Sequence, residues 1–200
     1  MQSLFRVVLG LDFERLAPAL RRHYDVAPDE TVLVQGEMDC WNRFAWARLL
    51  IPFAPKNGKA VPVRVRNRAL IQNNAPCFEW HREFRYPSGT QTTYTLTKTD
   101  PRSSPACVLD TFNQPPNIGV TLKLSVSEDG KTLMQTAAGA QYALVGGKLI
   151  ALPSLFNIHT VAIERAIDSS EERVFTEVVI SHPLFGRLFG YSGTLSVKRV

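Results

Sequence analysis

The residues able to bind a metal ion or to act as a nucleophile are few in this sequence and lie far apart. The histidines form neither an H-x-H nor an H-E-x-x-H pattern, and the cysteines form no C-x-x-C pair. Zinc sites usually draw two of their ligands from one such local pair. We therefore expect no metal site and no cofactor, and we interpret each histidine as a surface or hydrogen-bonded residue. The histidines are His23, His81, His159 and His182, and the cysteines are Cys40, Cys77 and Cys107.

Motifs for nucleotide binding and for covalent catalysis are incomplete. Gly146–Lys148 lacks the earlier glycine and the following Ser or Thr of a P-loop, so it indicates a turn. Ser192 falls short of a G-x-S-x-G elbow and lies within a strand pattern. Cys77 is a lone thiol, and such residues usually pack as small apolar groups. We assign no catalytic residue, and the sequence favours a non-catalytic protein over an enzyme.

Arg82 is the one charged residue whose position breaks a rule. In an alternating pattern it shares a face with the aromatic residues Trp80 and Phe84. A charge on an apolar face needs a partner, because burying an unpaired charge is very costly. Two interpretations follow: an ion pair with an acid such as Asp110 or Glu177, which we favour, or a site for the anionic or polar head of a ligand.

Two predicted strands position Arg82. The first, Val61–Ile71, alternates apolar residues with arginines, and the second, Cys77–Tyr86, alternates aromatic with polar residues. A connection at Gln72–Ala75 makes them a hairpin, and it sets the register of the outward-facing residues. The predicted outward pairs are Arg68 with Glu79, Arg66 with His81, and Arg64 with Glu83. We therefore interpret the arginines as an exposed charge ladder rather than as a phosphate-binding surface.

The remaining elements predict a mainly β protein of the α+β class. Phe13, Leu16 and Leu20 recur at helical spacing, with Pro18 suited to a first turn. From Thr31 onward the period changes to two, with regular turn signals. We expect a strongly curved antiparallel sheet or barrel of roughly nine to ten strands, since so many strands would otherwise leave long unpaired edges. One or two short helices precede it, and a short apolar helix lies near residues 44–51.

The later predicted strands form further hairpins and end in an aromatic strand. Val120–Val126 pairs with Leu133–Ala138 about Asp129-Gly130, and a shorter pair turns at Gly146-Gly147. In His159–Ile167 the apolar residues Val161, Ile163 and Ile167 share one face, and Val174–Ser181 returns across Asp168–Glu171. The last strand places Phe189, Tyr191, Leu195 and Val197 together. We assign residues 1–200 to a single domain.

The segment Phe44–Phe53 is apolar around most of a short helix and allows two interpretations. It could insert into a membrane interface, with Trp46 and Phe53 as anchors and Arg43 and Arg48 near acidic lipid. Alternatively it plugs an end or the concave face of the sheet. We favour the plug, and peripheral membrane contact stays the less favoured alternative.

Composition narrows the possible partners. The formal charge is +5, but the basic residues are scattered without a run, so we expect no nucleic-acid partner. The odd number of cysteines suits reduced thiols, which favours a cytoplasmic protein. We find no signal peptide and no apolar run of the ~20 residues that a membrane-spanning helix needs. The sequence leaves the oligomeric state open.

Three segments, spread in order along the chain, carry a resemblance to a known family. The first contains Leu9-Gly10, Phe13, Leu16, Pro18, Leu20-Arg21 and His23; the second contains Val61–Val65, Trp80, Arg82 and Phe84; the third contains Ser181, Pro183-Leu184, Gly186, Leu188, Tyr191, Gly193 and Leu195. Together they resemble the domain of unknown function 4166 family. This sequence departs from that family's pattern at His182 and at Ser192, where a basic residue often stands.

The resemblance implies no agreed activity, but it implies fusions of such domains to oxidoreductase-like or membrane domains. Our leading prediction is a non-catalytic β-barrel-like domain that binds a small hydrophobic or lipid-like ligand. The alternatives are an accessory or interaction domain with a filled core beside an oxidoreductase or membrane partner, and an enzyme built from scattered residues such as Arg82, His23 and Tyr191. The residues that we predict to bind the ligand are Arg82, Trp80, Phe84, Tyr191 and Trp46.

Overall fold

The structure of the protein, a computed structural model, describes residues 2–28, 30–46, 48, 51, 53–100, 106–167 and 172–200. Three short helices come first, where one or two were expected: α1 (Leu4–Leu9), α2 (Leu11–Arg15) and α3 (Pro18–Tyr24). Pro18 occupies the first turn of α3, as predicted, where its missing N–H leaves no bond unmade. Within the described residues, every helix is too short to cross a bilayer.

Eleven β-strands follow the helices, and ten of them close into an antiparallel barrel. The strands are β1 (Thr31–Asn42), β2 (Gly58–Gln72), β3 (Ala75–Tyr86), β4 (Gly89–Thr99), β5 (Cys107–Phe112), β6 (Ile118–Val126), β7 (Thr132–Val145), β8 (Lys148–Ala151), β9 (His159–Ala166), β10 (Arg173–His182) and β11 (Gly186–Arg199). The ring closes where β11 pairs with β1, and β7 pairs with both β6 and β9. The short strand β8 lies outside the ring on the edge of β7.

The β2–β3 hairpin has the predicted register. Arg68 faces Glu79 across the two strands, with their side chains 3.7 Å apart, and the other two predicted pairs also lie opposite each other. The connection is shorter than expected, because Gln72 and Ala75 still pair within the ladder. Only Asn73 and Asn74 form the turn, both at positive φ, which is the conformation that two-residue hairpin turns require.

The other predicted hairpins are present, with turns at residues 127–131 and at Gly146-Gly147. The connection at 168–171 lies outside the described residues, as do residues 101–105. The helix expected near 44–51 falls on a segment in which residues 47, 49 and 50 are also outside them. The three cysteines are unpaired and buried.

The three helices pack against one end of the barrel, which we call the helical end. Phe5 and Tyr24 are fully buried there, with ring centroids 4.3 Å apart, and Phe5 meets Phe78 of β3 edge to face at 5.2 Å. A backbone hydrogen bond from Ala17 to Gly130 ties the helices to the β6–β7 turn. The connections at 43–57, 87–88, 113–117, 146–158 and 183–185 lie at the opposite end, which we call the distal end.

Candidate ligand-binding site inside the barrel

The barrel encloses a cavity of about 110 Å³ between the helical and distal ends. Its lining is mainly apolar, because each strand turns alternate side chains inward. The apolar residues nearest the distal end are Phe53, Phe84, Phe112, Ile180 and Phe189. Polar residues from the helices and from the middle of the strands complete the wall, so the cavity has an apolar side and a polar side.

Arg82 lines this cavity from the middle of β3 and is half-buried. Its Nη1 donates a hydrogen bond of 2.9 Å to Oγ1 of Thr95, and the guanidinium lies over the Trp80 ring at 4.8 Å. The stem of the side chain therefore rests on an aromatic surface while the charged group faces the cavity. A guanidinium carries more N–H donors than this one bond uses.

The acid partner that we favoured for Arg82 is not found among the described residues. Glu177 lies on the outward face of β10, since its neighbour Thr176 is the residue that lines the cavity. Asp110 does line the cavity, and Arg82 influences it electrostatically, but the two form no salt bridge in the described part of the chain. Arg82 is thus held by a hydroxyl and an aromatic ring rather than by a carboxylate.

Asp110 belongs to a chain of hydrogen bonds that begins at Trp80. The indole Nε1 donates to Oγ1 of Thr97 at 2.9 Å, and that hydroxyl donates to Oδ1 of Asp110 at 2.6 Å. Burial raises the pKa of Asp110, against the opposing effects of the Thr97 hydrogen bond and the Arg82 charge. Desolvation of the carboxylate is therefore the dominant influence on the pKa of Asp110.

The raised pKa of Asp110 predicts a measurable pH dependence of folding. A carboxyl whose pKa is higher in the folded state stabilises the fold at low pH and loses this contribution as pH rises above about 4. Asp110→Asn removes this titration but keeps an acceptor for Thr97. We expect the variant to gain stability relative to wild type as the pH rises from about 4 to about 7. Urea denaturation of both proteins at each pH measures their free energies of unfolding. If the two free energies change with pH in parallel, the interpretation is contradicted.

A second polar cluster joins α3 to the strands. Nδ1 of His23 lies 2.8 Å from Oε2 of Glu164, and Nε2 lies 2.6 Å from Nδ2 of Asn67. These partners fit the tautomer in which Nδ1–H donates to the carboxylate and Nε2 accepts from the amide. Both His23 and Glu164 line the cavity although both are buried. Burial, together with the nearby Glu164 carboxylate, raises the pKa of Tyr24 well above its usual value.

Two further polar groups in the cavity wall have hydrogen-bonding capacity to spare. Tyr191 packs edge to face against Phe84 at 5.6 Å, and burial raises the pKa of its hydroxyl. Oγ1 of Thr176 is buried and has no hydrogen-bond partner among the described residues. An unsatisfied buried hydroxyl is rare in native proteins and calls for a partner.

Four of the five predicted ligand-binding residues meet in this cavity, and the fifth does not. Arg82, Trp80, Phe84 and Tyr191 all line it. Trp46 lies at the distal end, 40% exposed, in contact with Phe44 and Phe185. It therefore has no part in the cavity wall.

The apolar segment that contains Trp46 contributes Phe53 to the cavity instead. Phe53 stacks on Phe112 with ring centroids 4.3 Å apart and meets Phe189 at 6.2 Å. The following residue, Ala54, is fully buried with Ile180 and Leu188. Phe53 and Ala54 therefore lie inside the barrel, which is where the plug interpretation of the segment placed them.

Sequence reasoning did not select Glu164, Asn67 or Thr176, and it kept His23 only as a component of a dispersed enzyme site. Each of the three stands at an inward position of a strand whose other inward residues are mostly small or apolar. The signal that singled out Arg82 was available for these residues too: each is a polar residue at a position where the strand alternation places core residues. It was weaker here because these side chains are common on solvent-facing strand positions.

Comparisons with known proteins bear on the family and not on the ligand. The chain is similar to the structure of EF1p2_mFAP2b bound to DFHBI, with 9% identity, a TM-score of 0.30, and 90% of this chain and 96% of that chain covered. It is also similar to a protein assigned as a thioesterase II from Thermobifida fusca YX, with 8% identity, a TM-score of 0.26, and 88% and 80% covered. Because both TM-scores are so low, neither similarity shows a property of this chain. No curated protein matches the sequence. The family model described as "Domain of unknown function (DUF4166)" matches residues 16–195, and the chain therefore belongs to that family.

Proposed function

We propose that the barrel binds one small amphipathic molecule, with its apolar part among the distal phenylalanines and an anionic or polar head at Arg82. The observation that carries this proposal is a largely apolar cavity containing a guanidinium that has no salt bridge among the described residues. Ligand sites in proteins typically combine such an apolar lining with a few polar groups that orient the ligand. The cavity also argues against the accessory domain with a filled core.

The size of the cavity limits the ligand. A cavity of about 150 Å³ in another protein holds benzene, and the space here is about 110 Å³. The space here is therefore smaller than the one that holds benzene, so a short alkyl chain fits and a single ring requires the wall to adjust slightly. A longer lipid-like chain requires Phe53 to leave its stack on Phe112, since that ring forms the distal boundary of the cavity.

The polar side of the cavity supports an anionic head. Asp110 forms no salt bridge with Arg82 among the described residues, and Glu164 is already engaged by His23. A carboxylate on the ligand would accept charge-assisted hydrogen bonds from the free donors of Arg82. The Thr176 hydroxyl supplies one further group with no protein partner in the described structure.

Native mass spectrometry of the purified protein, followed by release and identification of any bound molecule, tests the proposal. We expect wild type to carry a small apolar acid or to be stabilised thermally by added benzoate. Ala162 lines the cavity, so Ala162→Phe fills the space and should abolish both effects. Val161→Phe is the matched control, because the side chain of Val161, the preceding residue, lies on the outer face of β9 and is 36% exposed.

Two results would overturn the proposal. One is a wild-type protein that carries no molecule and shows no thermal shift with benzoate. The other is an Ala162→Phe variant that folds and still binds as wild type does. If Ala162→Phe fails to fold, Thr176→Val tests the same wall with a nearly unchanged volume, and it should weaken binding measurably.

A second candidate function is acid–base catalysis on the bound molecule. It is favoured by one observation: His23, Arg82 and Tyr191, the residues considered for a dispersed enzyme site, line the same cavity as Asp110. A buried carboxyl with a raised pKa is a typical general acid or base. Incubating the protein with the molecule that it carries, and separating reactant from product by chromatography, distinguishes the two functions, since catalysis converts the molecule into a product and Asp110→Asn prevents the conversion.

A further inference from the structure

The distal end of the barrel exposes a group of large apolar side chains that the cavity does not use. Leu184 and Phe185 in the β10–β11 connection are 68% and 48% exposed, and Phe156 after β8 is 61% exposed. Leu155 and Trp46 complete the group, which we call the apolar rim. Scattered apolar residues on a surface need no explanation, but a contiguous patch usually marks an interaction site.

The rim is one patch built from three connections. Trp46 lies 5.3 Å from Phe44 and 5.5 Å from Phe185, which joins the β1–β2 connection to the β10–β11 connection. Nε2 of His182 contacts the backbone oxygen of Leu155 at 2.7 Å, which joins the third connection to the same patch. These links hold the exposed side chains in one place on the surface.

The charges around the rim have one sign. The distal connections contain Arg43, Arg48, Lys56 and Lys148 but no Asp or Glu, and Arg187 begins the strand next to the rim. Arg43 and Arg187 are exposed, and the Arg43 guanidinium lies over the Phe44 ring at 5.1 Å. The connections at the helical end differ, because acids such as Asp25, Glu128 and Glu172 occur there. Among the described residues, the distal connections therefore combine exposed apolar groups with cations and no acid, whereas the helical end, where Leu11 is exposed, carries both acids and cations.

We propose that the distal end docks on anionic lipid bilayers, with the apolar rim inserted at the interface and the surrounding arginines against lipid phosphates. Proteins bind peripherally to such membranes through exposed aromatic and leucine side chains combined with basic residues. Phe53, at the distal boundary of the cavity, then lies beneath the membrane-facing rim. A ligand dissolved in the bilayer would then enter the cavity past Phe53; this entry rests on the proposed function, whereas the docking itself does not.

Co-sedimentation with vesicles tests the docking. We expect binding to phosphatidylcholine vesicles that contain phosphatidylserine, weak binding to phosphatidylcholine alone, and a fall in binding as salt screens the charges. Phe185→Ser should weaken binding at least about ten-fold through lost apolar burial, and Arg187→Gln about five-fold through one lost cation. The matched controls lie at the helical end, where Leu11→Ser and Lys131→Gln change residues that are also exposed, Leu11 more so than Phe185.

Tryptophan fluorescence gives an independent reading of the geometry. Of the three tryptophans, Trp80 is buried and Trp41 is half-buried in β1, whereas Trp46 is exposed in the rim, so vesicle binding should shift chiefly the emission of Trp46 to shorter wavelength. Trp46→Phe should abolish this shift while the protein still sediments with the vesicles. A shift that persists in Trp46→Phe would overturn the assignment of the rim as the docking surface.

The remaining outcomes separate docking from ligand binding. Absence of sedimentation with either kind of vesicle overturns the docking proposal, as does an equal loss in Phe185→Ser and Leu11→Ser. Self-association of the wild-type protein without vesicle binding would assign the rim to a second copy of the chain and would also overturn it. Phe185→Ser should retain the thermal shift with benzoate, so a protein that binds vesicles but never benzoate contradicts the proposed function alone.

Discussion

Arg82→Met should lose binding of a small aromatic acid while the barrel stays folded. Methionine keeps the apolar stem over Trp80 but removes the charged donors, and a hydrogen bond to a charged group contributes about 1.5–3 kcal/mol. We therefore expect the affinity for benzoate to fall about 10- to 100-fold. Isothermal titration with benzoate and with its neutral analogue benzamide measures this, and only the benzoate affinity should change strongly.

The stability of Arg82→Met distinguishes a ligand site from a structural role. We expect a loss of about 1 kcal/mol, the contribution of the hydrogen bond to Thr95. Breaking a buried ion pair would instead cost about 3–5 kcal/mol. A loss of that size with benzoate affinity unchanged would show that Arg82 is a structural residue. Arg85→Met is the matched control, since Arg85 is exposed on the outer face of the same strand.

Replacing His23 by leucine should destabilise the protein by about 3–5 kcal/mol. The substitution leaves the buried Glu164 carboxylate without the donor that now lies 2.8 Å away, and it leaves Asn67 without its acceptor. Denaturation by urea, with the midpoint and slope both fitted, measures the loss. His159→Leu is the control, because His159 is exposed at the start of β9 and should change stability by less than about 0.5 kcal/mol.

A double variant tests the physical reason for this loss. His23→Leu combined with Glu164→Met removes both members of the pair, and apolar replacement of a complete buried pair is often nearly neutral. The double variant should therefore be more stable than His23→Leu alone. A double variant as unstable as the single one would mean that packing of α3, rather than the stranded carboxylate, explains the effect.

The sequence was sufficient for the β2–β3 hairpin because everything that determines it is local. Alternation assigns each residue to a face, and the short turn fixes which residues are opposite each other. The same alternation brought Trp80, Arg82 and Phe84 to one face, so the part of the site on β3 could be predicted. What it could not supply was the partner of Arg82, because that depends on strands far along the chain.

In strand β9, local alternation groups the side chains by face but does not show which face is the inner one. Val161 and Ile163 share a face, but that face is the outer one, and Thr160 and Glu164 turn into the barrel. Glu164 is acceptable inside because His23, 141 residues earlier, meets it there. No pattern within β9 reveals that contact, so this half of the polar cluster had to come from the three-dimensional fold.

The segment from Phe44 to Phe53 was ambiguous because it is apolar on most sides. The structure divides it, with Phe53 inside the barrel and Trp46 in the apolar rim. Both interpretations of the sequence assigned the whole segment one role. An apolar stretch at the end of a barrel can contribute to the core and to the exposed rim at once.

The pairing of β1 with β11 has a consequence for how the protein folds. Residues 31–42 find their second neighbour only in residues 186–199, near the other end of the sequence. Contacts so distant along the chain slow folding, and until they form β1 and β11 each present an unpaired edge to other molecules. During synthesis, the cylinder can close only after β11 has left the ribosome, and until then the open edges make the nascent polypeptide prone to aggregation.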